Sequence, residues 1–285
     1  MDRLESHRLF YARRLAAATG AAGLGGRLEA ALAATPRERF LGPGPWRVFT
    51  AAGYITTPSD DATFVYHDVP IALSEGEAIN NGQPALHALC LAALDVKEGE
   101  TAVHVGAGTG YYTAVLARLV GARGSVFACE VEPALAARAR AALADLGHVT
   151  VEARSGADGV LPACDILYVS AGATAPLDLW LDALRENGRL LFPLTPAAVG
   201  GRPAPGAMLL VTRRTPDRFD ARFLCPAAFI PCAGARDDAT AARLTAAFQR
   251  GDSRDVRSLR RGTAPDATAW VVGAGWWLST VVEAG

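Results

Sequence analysis

The sequence predicts an α/β fold built on a parallel sheet, and two observations carry that prediction. Short apolar runs alternate with stretches of helical period from residue 84 to residue 192. At the first alternation, an apolar run over residues 102–105 leads into three glycines at alternate positions, and an amphipathic run ending at Gly121 follows. A glycine turn between a strand and a helix is where open α/β sheets bind small ligands.

The remaining elements follow from the same periodicities. Two N-terminal helices are predicted over residues 2–18 and 27–34, separated by a break from Gly20 to Gly26. Residues 50–82 read as a long irregular loop, and Pro84 begins a helix. The predicted core strands are 125–129, 149–152, 165–169 and 189–192, then an antiparallel pair at 208–212 and 227–230. The predicted core helices are 133–146 and 177–184, the second capped by Asn187-Gly188, and residues 196–205 form a loop.

Composition limits the classes of partner and location. The 28 basic and 29 acidic residues nearly balance, so we expect neither nucleic acid nor an anionic membrane as a partner. No apolar run is long enough to span a bilayer, and the charged N-terminal stretch has no signal-peptide pattern. The five cysteines lack metal-binding spacing. We therefore expect a cytoplasmic protein without disulfides and without a metal.

The glycine turn indicates a nucleoside ligand. Its spacing is G-x-G-x-G, and Tyr111 stands where a dinucleotide fingerprint needs its third glycine. Glu130 ends the next apolar run, about where a ribose-binding carboxylate belongs, roughly 20 residues on. A carboxylate can accept both ribose hydroxyls. The combination suits S-adenosylmethionine (SAM). The alternative is a turn whose glycines serve only packing.

Seven short motifs follow one another between residues 35 and 231. They are PRERF (36–40), VYHDVPIAL (65–73), QPALHA (83–88), HVGAGTGYYTAVLARLVG (104–121), FACE (127–130), NGRLLFPL (187–194) and FLCPAAFIP (223–231). In this order they resemble the protein-L-isoaspartate O-methyltransferase family. The resemblance implies the class I, Rossmann-like methyltransferase fold, with a doubly wound, mostly parallel seven-stranded sheet and SAM as cofactor.

The resemblance assigns cofactor-binding roles residue by residue. Glu130 should hold the ribose, and the turn residues Gly106, Gly108, Thr109 and Gly110 should wrap the amino-acid end of SAM.

The resemblance also indicates three further cofactor candidates, His87, Asp158 and Gly159. His87 matches a cofactor-side histidine in some members, or is a helix residue satisfied by packing. Asp158 with Gly159 matches the acidic residue that meets the adenine amino group. The family pattern there is G-D-G, whereas this chain has G-A-D-G, so the alignment shifts by one residue.

Two departures from the family pattern concern the reacting groups. His104 stands two residues before Gly106, where the family usually has an acidic residue, and we keep it as a cofactor-side candidate. The family serine near the acceptor is missing, because alignment puts either Asn80 or Gly82 at its position. We take Asn80 and Asn81 as catalytic candidates, since an Asn amide can hydrogen-bond a carboxylate or a peptide carbonyl.

The sequence divides into N-terminal helices with a substrate-side loop (1–82), a SAM-binding core (83–232) and a C-terminal extension (233–285). Trp270, Trp276 and Trp277 lie in the extension, where they either pack it onto the core or form a substrate or homodimer surface.

The leading hypothesis is a SAM-dependent methyltransferase that O-methylates a carboxylate of a peptide or protein. The first alternative is an enzyme of the same fold acting on a small metabolite or modified peptide in a biosynthetic pathway. The second is a catalytically degenerate SAM-binding or scaffold protein. An NAD-dependent oxidoreductase is a distant third, opposed by Tyr111.

Overall fold

The computed structural model describes residues 2–20, 25–74, 79–197 and 204–282. Parts of the predicted 20–26 break and of the 50–82 and 196–205 loops lie outside these ranges. The chain forms two compact units. The first unit comprises residues 1–100 and 107–154, and the second comprises residues 101–106 and 155–285. The division of the sequence at residues 82 and 232 stays a prediction.

Helices and strands alternate through most of the described chain. The helices are α1 (Arg3–Ala18), α2 (Gly25–Ala33), α3 (Pro84–Leu94), α4 (Tyr111–Val120), α5 (Pro133–Ala142), α6 (Asp178–Ala183) and α7 (Asp238–Arg250). The strands are β1 (Arg47–Thr50), β2 (Gly53–Thr56), β3 (Thr101–Val105), β4 (Ser125–Cys129), β5 (Val149–Glu152), β6 (Cys164–Val169), β7 (Leu184–Leu194), β8 (Gly206–Arg213), β9 (Phe219–Ala227), β10 (Ser258–Arg261), β11 (Ala269–Val272) and β12 (Trp276–Ser279).

The first unit combines a helical layer with the parallel pair β4–β5. Helix α1 packs against α2 and α3, and α2 packs against α4. Helices α3 and α5 begin at Pro84 and Pro133, where proline loses no helical hydrogen bond. None of the described helices is long and apolar enough to cross a membrane.

The stretch predicted as an irregular loop forms a small antiparallel ladder, so that prediction is wrong for the described part. Strand β1 pairs with β2 on one side, and on the other its Phe49 N donates to Pro70 O at 2.9 Å. Leu73 N then donates to Ile79 O at 2.8 Å, and Asn81 N donates to Ile71 O at 3.0 Å. We call residues 70–73 and 79–81 the 70–81 ladder. It places Asn80 opposite Ala72.

The second unit is a mixed sheet with the strand order β11-β12-β10-β9-β8-β7-β6-β3. Its strands β3, β6 and β7 are parallel, which confirms the predicted α/β core. The strands from β7 to β11 pair antiparallel. Six of the seven predicted core strands correspond to β3 to β8, and the seventh, predicted at 227–230, is displaced from β9. Beyond β9 the sheet continues through β10, β12 and β11 of the C-terminal extension.

Two local predictions in this unit are wrong. Asn187-Gly188 does not cap a helix, because β7 starts at Leu184, directly after α6. Asn187 instead has a φ of 61° within β7, at a register shift against β6. The partner of β8 is β9, which ends at Ala227 rather than starting there.

The tryptophans of the extension are buried, which confirms the packing interpretation. Trp270, Trp276 and Trp277 are 3%, 6% and 2% exposed. Trp270 lies edge-on to Phe223 of β9 and Phe248 of α7, each with ring centroids 5.2 Å away. These rings join the extension to the sheet of its unit.

We expect Trp270→Ala to lower the free energy of unfolding by about 3–5 kcal/mol, because the truncation leaves a cavity beside two rings. Urea denaturation followed by circular dichroism measures this loss. As a control, Phe10→Ala removes a ring that is 64% exposed and should change stability by less than about 0.5 kcal/mol. Equal losses in both variants would show that the extension does not depend on this cluster.

Candidate functional site

The glycine turn is closed by a bond to a buried carboxylate. Gly108 N donates to Glu130 Oε2 at 2.6 Å, and Gly110 N donates to Ala107 O at 2.9 Å. Gly108 and Gly110 have φ values of 57° and 93°, a region that L side chains rarely adopt. Gly110 is also the N-cap residue of α4. The sequence therefore places glycine where this backbone geometry requires it.

The glycines of the turn differ in what they face. A Cβ on Gly110 would lie 2.8 Å from Leu143 Cδ1, so packing and the positive φ together account for this glycine. A Cβ on Gly108 would lie 3.2 Å from Leu73 Cδ1. Leu73 belongs to the 70–81 ladder, so the turn contacts the segment that carries the predicted catalytic candidates.

Glu130 has the hydrogen-bonding capacity that a ribose needs. Its side chain is buried, with Oε1 accepting from Glu132 N at 2.9 Å and Oε2 accepting from Gly108 N. A carboxylate offers about four lone-pair sites, so two remain for a pair of hydroxyls. Thr109, between the glycines, is also buried. The residues present in the first unit therefore fit SAM.

Asn80 and Asn81 lie at the end of the 70–81 ladder. Asn80 Oδ1 accepts from Gly82 N at 2.9 Å. Asn81 Oδ1 accepts from Ile71 N at 2.8 Å and from Arg37 Nη2 at 3.3 Å. The structure thus brings both candidates onto the segment that contacts the glycine turn. Their part in catalysis stays a prediction.

His87 lies in a tight packing environment. Its ring stacks on Tyr112 with a centroid separation of 3.7 Å and an interplanar angle of 5°. A Cβ on Gly82 would lie 2.1 Å from His87 Nε2, so the ring also abuts the end of the 70–81 ladder. These contacts favour the packing interpretation, and a cofactor contact stays a prediction.

In the second unit, His104 is a neutral group at the end of β3. Its side chain is 1% exposed, Nε2 lies 3.0 Å from Ser170 Oγ, and the ring stacks on Tyr168. Burial lowers the pKa of His104 to about 3. The ring is therefore uncharged at neutral pH, whereas the family's usual acidic residue carries a negative charge.

The other candidates in the second unit are the backbone of Gly106 and the loop that holds Asp158. Gly106 has a φ of 77°, and a Cβ there would meet the Ser170 backbone at 3.4 Å. Asp158 and Gly159 are exposed, whereas Gly156 is buried and its carbonyl accepts from Trp180 Nε1 at 2.7 Å. The contact of Asp158 with adenine stays a prediction.

The motifs contain two residues whose individual importance sequence reasoning missed. Leu73 ends VYHDVPIAL and contacts the turn, and Arg37 in PRERF is fully buried against the loop before the ladder. The sequence showed that each residue belongs to a family-like motif, but it did not show what the side chain contacts.

We expect Glu130→Ala to weaken SAM binding by roughly 1–3 kcal/mol, because charge-assisted hydrogen bonds to the ribose are lost. Isothermal titration calorimetry measures the dissociation constant. The matched control is Glu132→Ala, since Glu132 is exposed and its side chain caps no helix. Unchanged affinity in Glu130→Ala would place the ribose elsewhere.

His104 should make stability depend on pH in acid. Its folded pKa of about 3 lies below the unfolded value of about 6.5, so below pH 6.5 only the unfolded chain takes up this proton. Its contribution to the free energy of unfolding should therefore fall towards pH 3, by up to about 1.4 kcal/mol per pH unit, and stay constant above pH 7. Denaturant unfolding of the wild type and of His104→Gln measures the effect. The free energy of unfolding of the wild type minus that of the variant should decrease as the pH falls from 6.5 towards 3. A pH-independent difference would contradict the assignment.

Comparisons with known proteins agree with the motif pattern. The family model described as Protein-L-isoaspartate(D-aspartate) O-methyltransferase (PCMT) matches residues 51–236. A protein-L-isoaspartate O-methyltransferase of Methylorubrum populi is 38% identical over 177 residues, or 61% of this chain and 78% of the relative. Protein-L-isoaspartate O-methyltransferase 2 of an Anaeromyxobacter species is 33% identical over 211 residues, or 72% of this chain and 75% of the relative.

A solved structure shares the fold. It is described as a beta-aspartate methyltransferase (PCMT) from Plasmodium falciparum in complex with S-adenosyl-L-homocysteine. The TM-score is 0.60 at 17% identity, with 82% of this chain and 100% of that chain covered. This likeness confirms the class I α/β fold. From the family match and the curated relatives, the chain belongs to the protein-L-isoaspartate O-methyltransferase family, whose members are SAM-dependent methyltransferases.

Proposed function

We propose that this chain transfers the methyl group of SAM to the free carboxylate of isoaspartyl residues in proteins and peptides. The observation that carries the proposal is the continuity of two contacts in the first unit. Glu130 closes the turn through Gly108, and the same turn meets Leu73 of the 70–81 ladder, which holds Asn80. One compact unit therefore contains both the carboxylate that would hold the ribose of SAM and the amides that would bind the substrate carboxylate.

Methyl transfer to a carboxylate requires the two reactants to be positioned, and it requires no proton transfer. When bound, SAM supplies a methyl group on a positively charged sulfur. A carboxylate with an ordinary pKa of about 4 is already ionised at pH 7, so an oxygen–carbon bond forms as the carbon–sulfur bond breaks, and no proton moves. What the protein must provide is alignment and the exclusion of water.

The residues divide this task between orientation and hydrogen bonding. Glu130 would orient the ribose through the two lone-pair sites that its backbone bonds leave open. The amides of Asn80 and Asn81 would donate to the acceptor carboxylate in place of the family's serine hydroxyl.

One alternative has a specific observation in its favour. Asn80 or Gly82 stands where the family serine should be, which supports an acceptor other than the usual isoaspartyl residue, such as a modified peptide or small metabolite. A non-catalytic scaffold remains the alternative to any enzyme, and absence of turnover on every acceptor would favour it.

We also infer a cytoplasmic location and an acceptor that is a protein or peptide rather than a nucleic acid. Cysteines that form no disulfide in the described chain support a reducing compartment, and they are Cys90, Cys129, Cys164, Cys225 and Cys232. The near balance of acidic and basic residues supports a partner other than nucleic acid. A homodimer stays a prediction of the sequence.

A methyl-transfer assay with an isoaspartyl peptide tests the proposal. The wild type should methylate this peptide and leave the matching aspartyl peptide unmodified. Asn80→Ala should lower kcat/KM at least about tenfold, the loss of one hydrogen bond to a charged group, with SAM affinity within about twofold of the wild type.

In the same assay, Asn80→Ser serves as the control that restores a hydroxyl donor, and it should keep more activity than Asn80→Ala. SAM binding without methylation of the isoaspartyl peptide would exclude this acceptor. A normal rate in Asn80→Ala would move the acceptor site away from the ladder.

A further inference from the structure

Arg37 is a buried cation that binds one loop through alternate carbonyls. Its side chain is fully buried, and Nη1 donates to Val65 O at 2.5 Å and to His67 O at 2.9 Å. Nη2 donates to Val69 O at 2.8 Å. The three carbonyls come from residues 65, 67 and 69 and converge on the same guanidinium. Arg37 thus fixes the stretch of chain that leads into the 70–81 ladder.

Carbonyls rather than carboxylates compensate the charge of Arg37. Among the described residues, Arg37 makes no ion pair with Asp or Glu. A buried cation without hydrogen-bond partners would be strongly unfavourable, so the loop must keep its carbonyls in place. This requirement couples the position of the loop to the guanidinium more tightly than apolar packing would.

The fourth bond of the guanidinium acts together with a backbone donor to orient the Asn81 amide. Asn81 Oδ1 accepts from both Arg37 Nη2 and Ile71 N, so two donors hold the oxygen end of the amide. The nitrogen end, Nδ2, is buried and has no hydrogen-bond partner among the described residues. An amide nitrogen carries two donor hydrogens, and leaving them unpaired in a buried site is costly.

We propose that Arg37 is a positioning residue for the methyl acceptor, because it holds the Asn81 amide with its NH₂ group as the donor left for the acceptor carboxylate. This inference rests on the proposed function. It assigns the acceptor contact on Asn81 to Nδ2 and explains the unpaired donor, since a bound carboxylate would accept from it. Asn80 supplies the neighbouring contact.

The isosteric variant Asn81→Asp separates this role from a structural one. The carboxylate keeps the shape of the amide and can still accept from Arg37 and Ile71, so thermal stability should be unchanged or higher. It replaces the NH₂ donor with an anionic oxygen that repels an anionic acceptor. We expect KM for an isoaspartyl peptide to rise at least tenfold, while the SAM dissociation constant stays within twofold.

Arg37→Met and Arg37→Lys test the positioning residue itself. Arg37→Met should raise KM for the peptide more than it lowers kcat, with SAM affinity little changed. Arg37→Lys keeps a cation for the loop carbonyls and should recover part of the loss. The matched control is Arg27→Met, because Arg27 also donates to two backbone carbonyls of this unit, those of Val96 and Leu119. It should lower the melting temperature and leave KM unchanged.

The outcomes distinguish this inference from the function on which it rests. If the wild type binds SAM but does not methylate the peptide, the proposed function fails and this inference fails with it. If the wild type methylates the peptide and Asn81→Asp keeps the wild-type KM, only this inference is overturned. If Arg37→Met does not fold, Asn81→Asp still decides the outcome.

Discussion

The bond from Gly108 N to Glu130 Oε2 is the interaction around which the first unit is arranged. It ties the turn after β3 to the end of β4 by a charge-assisted contact in a buried setting, where such bonds are strong. The positive φ of Gly108 makes the donor available, and the absent Cβ lets Leu73 approach. A side chain at position 108 would disturb the carboxylate, the turn and the ladder together.

The glycine turn and its carboxylate could be predicted because their signals are local. Three alternate glycines after an apolar run, followed by Glu130 at the end of the next strand, report a geometry that the backbone imposes over a short distance. The parallel strands and their helices were recognisable for the same reason, since each carries its own period.

The 70–81 ladder and the role of Arg37 could not be predicted in this way. Residues 70–73 of the ladder are hydrogen-bonded to β1 and to residues 79–81, and neither segment shows the alternation of apolar and polar residues that identifies a strand. Arg37 sits in a charged, turn-rich motif that resembles a solvated surface, yet it is buried because three distant carbonyls surround it. The cap predicted at Asn187-Gly188 was wrong because the local signal is ambiguous: the pair suits a helix cap and a bulged strand equally well.

The C-terminal extension changes which backbone groups of the second unit remain available to other chains. Strand β9 is hydrogen-bonded to β8 on one side, and on the other side its first two residues, Phe219 and Asp220, pair with β10. On this side of the unit the outermost strand is β11, which is four residues long and has a register shift between Ala269 and Val271. Short, irregular edge strands pair poorly with strands of other chains. The extension therefore covers the start of β9 and ends this side of the sheet in a strand that offers a poor edge for pairing with another chain.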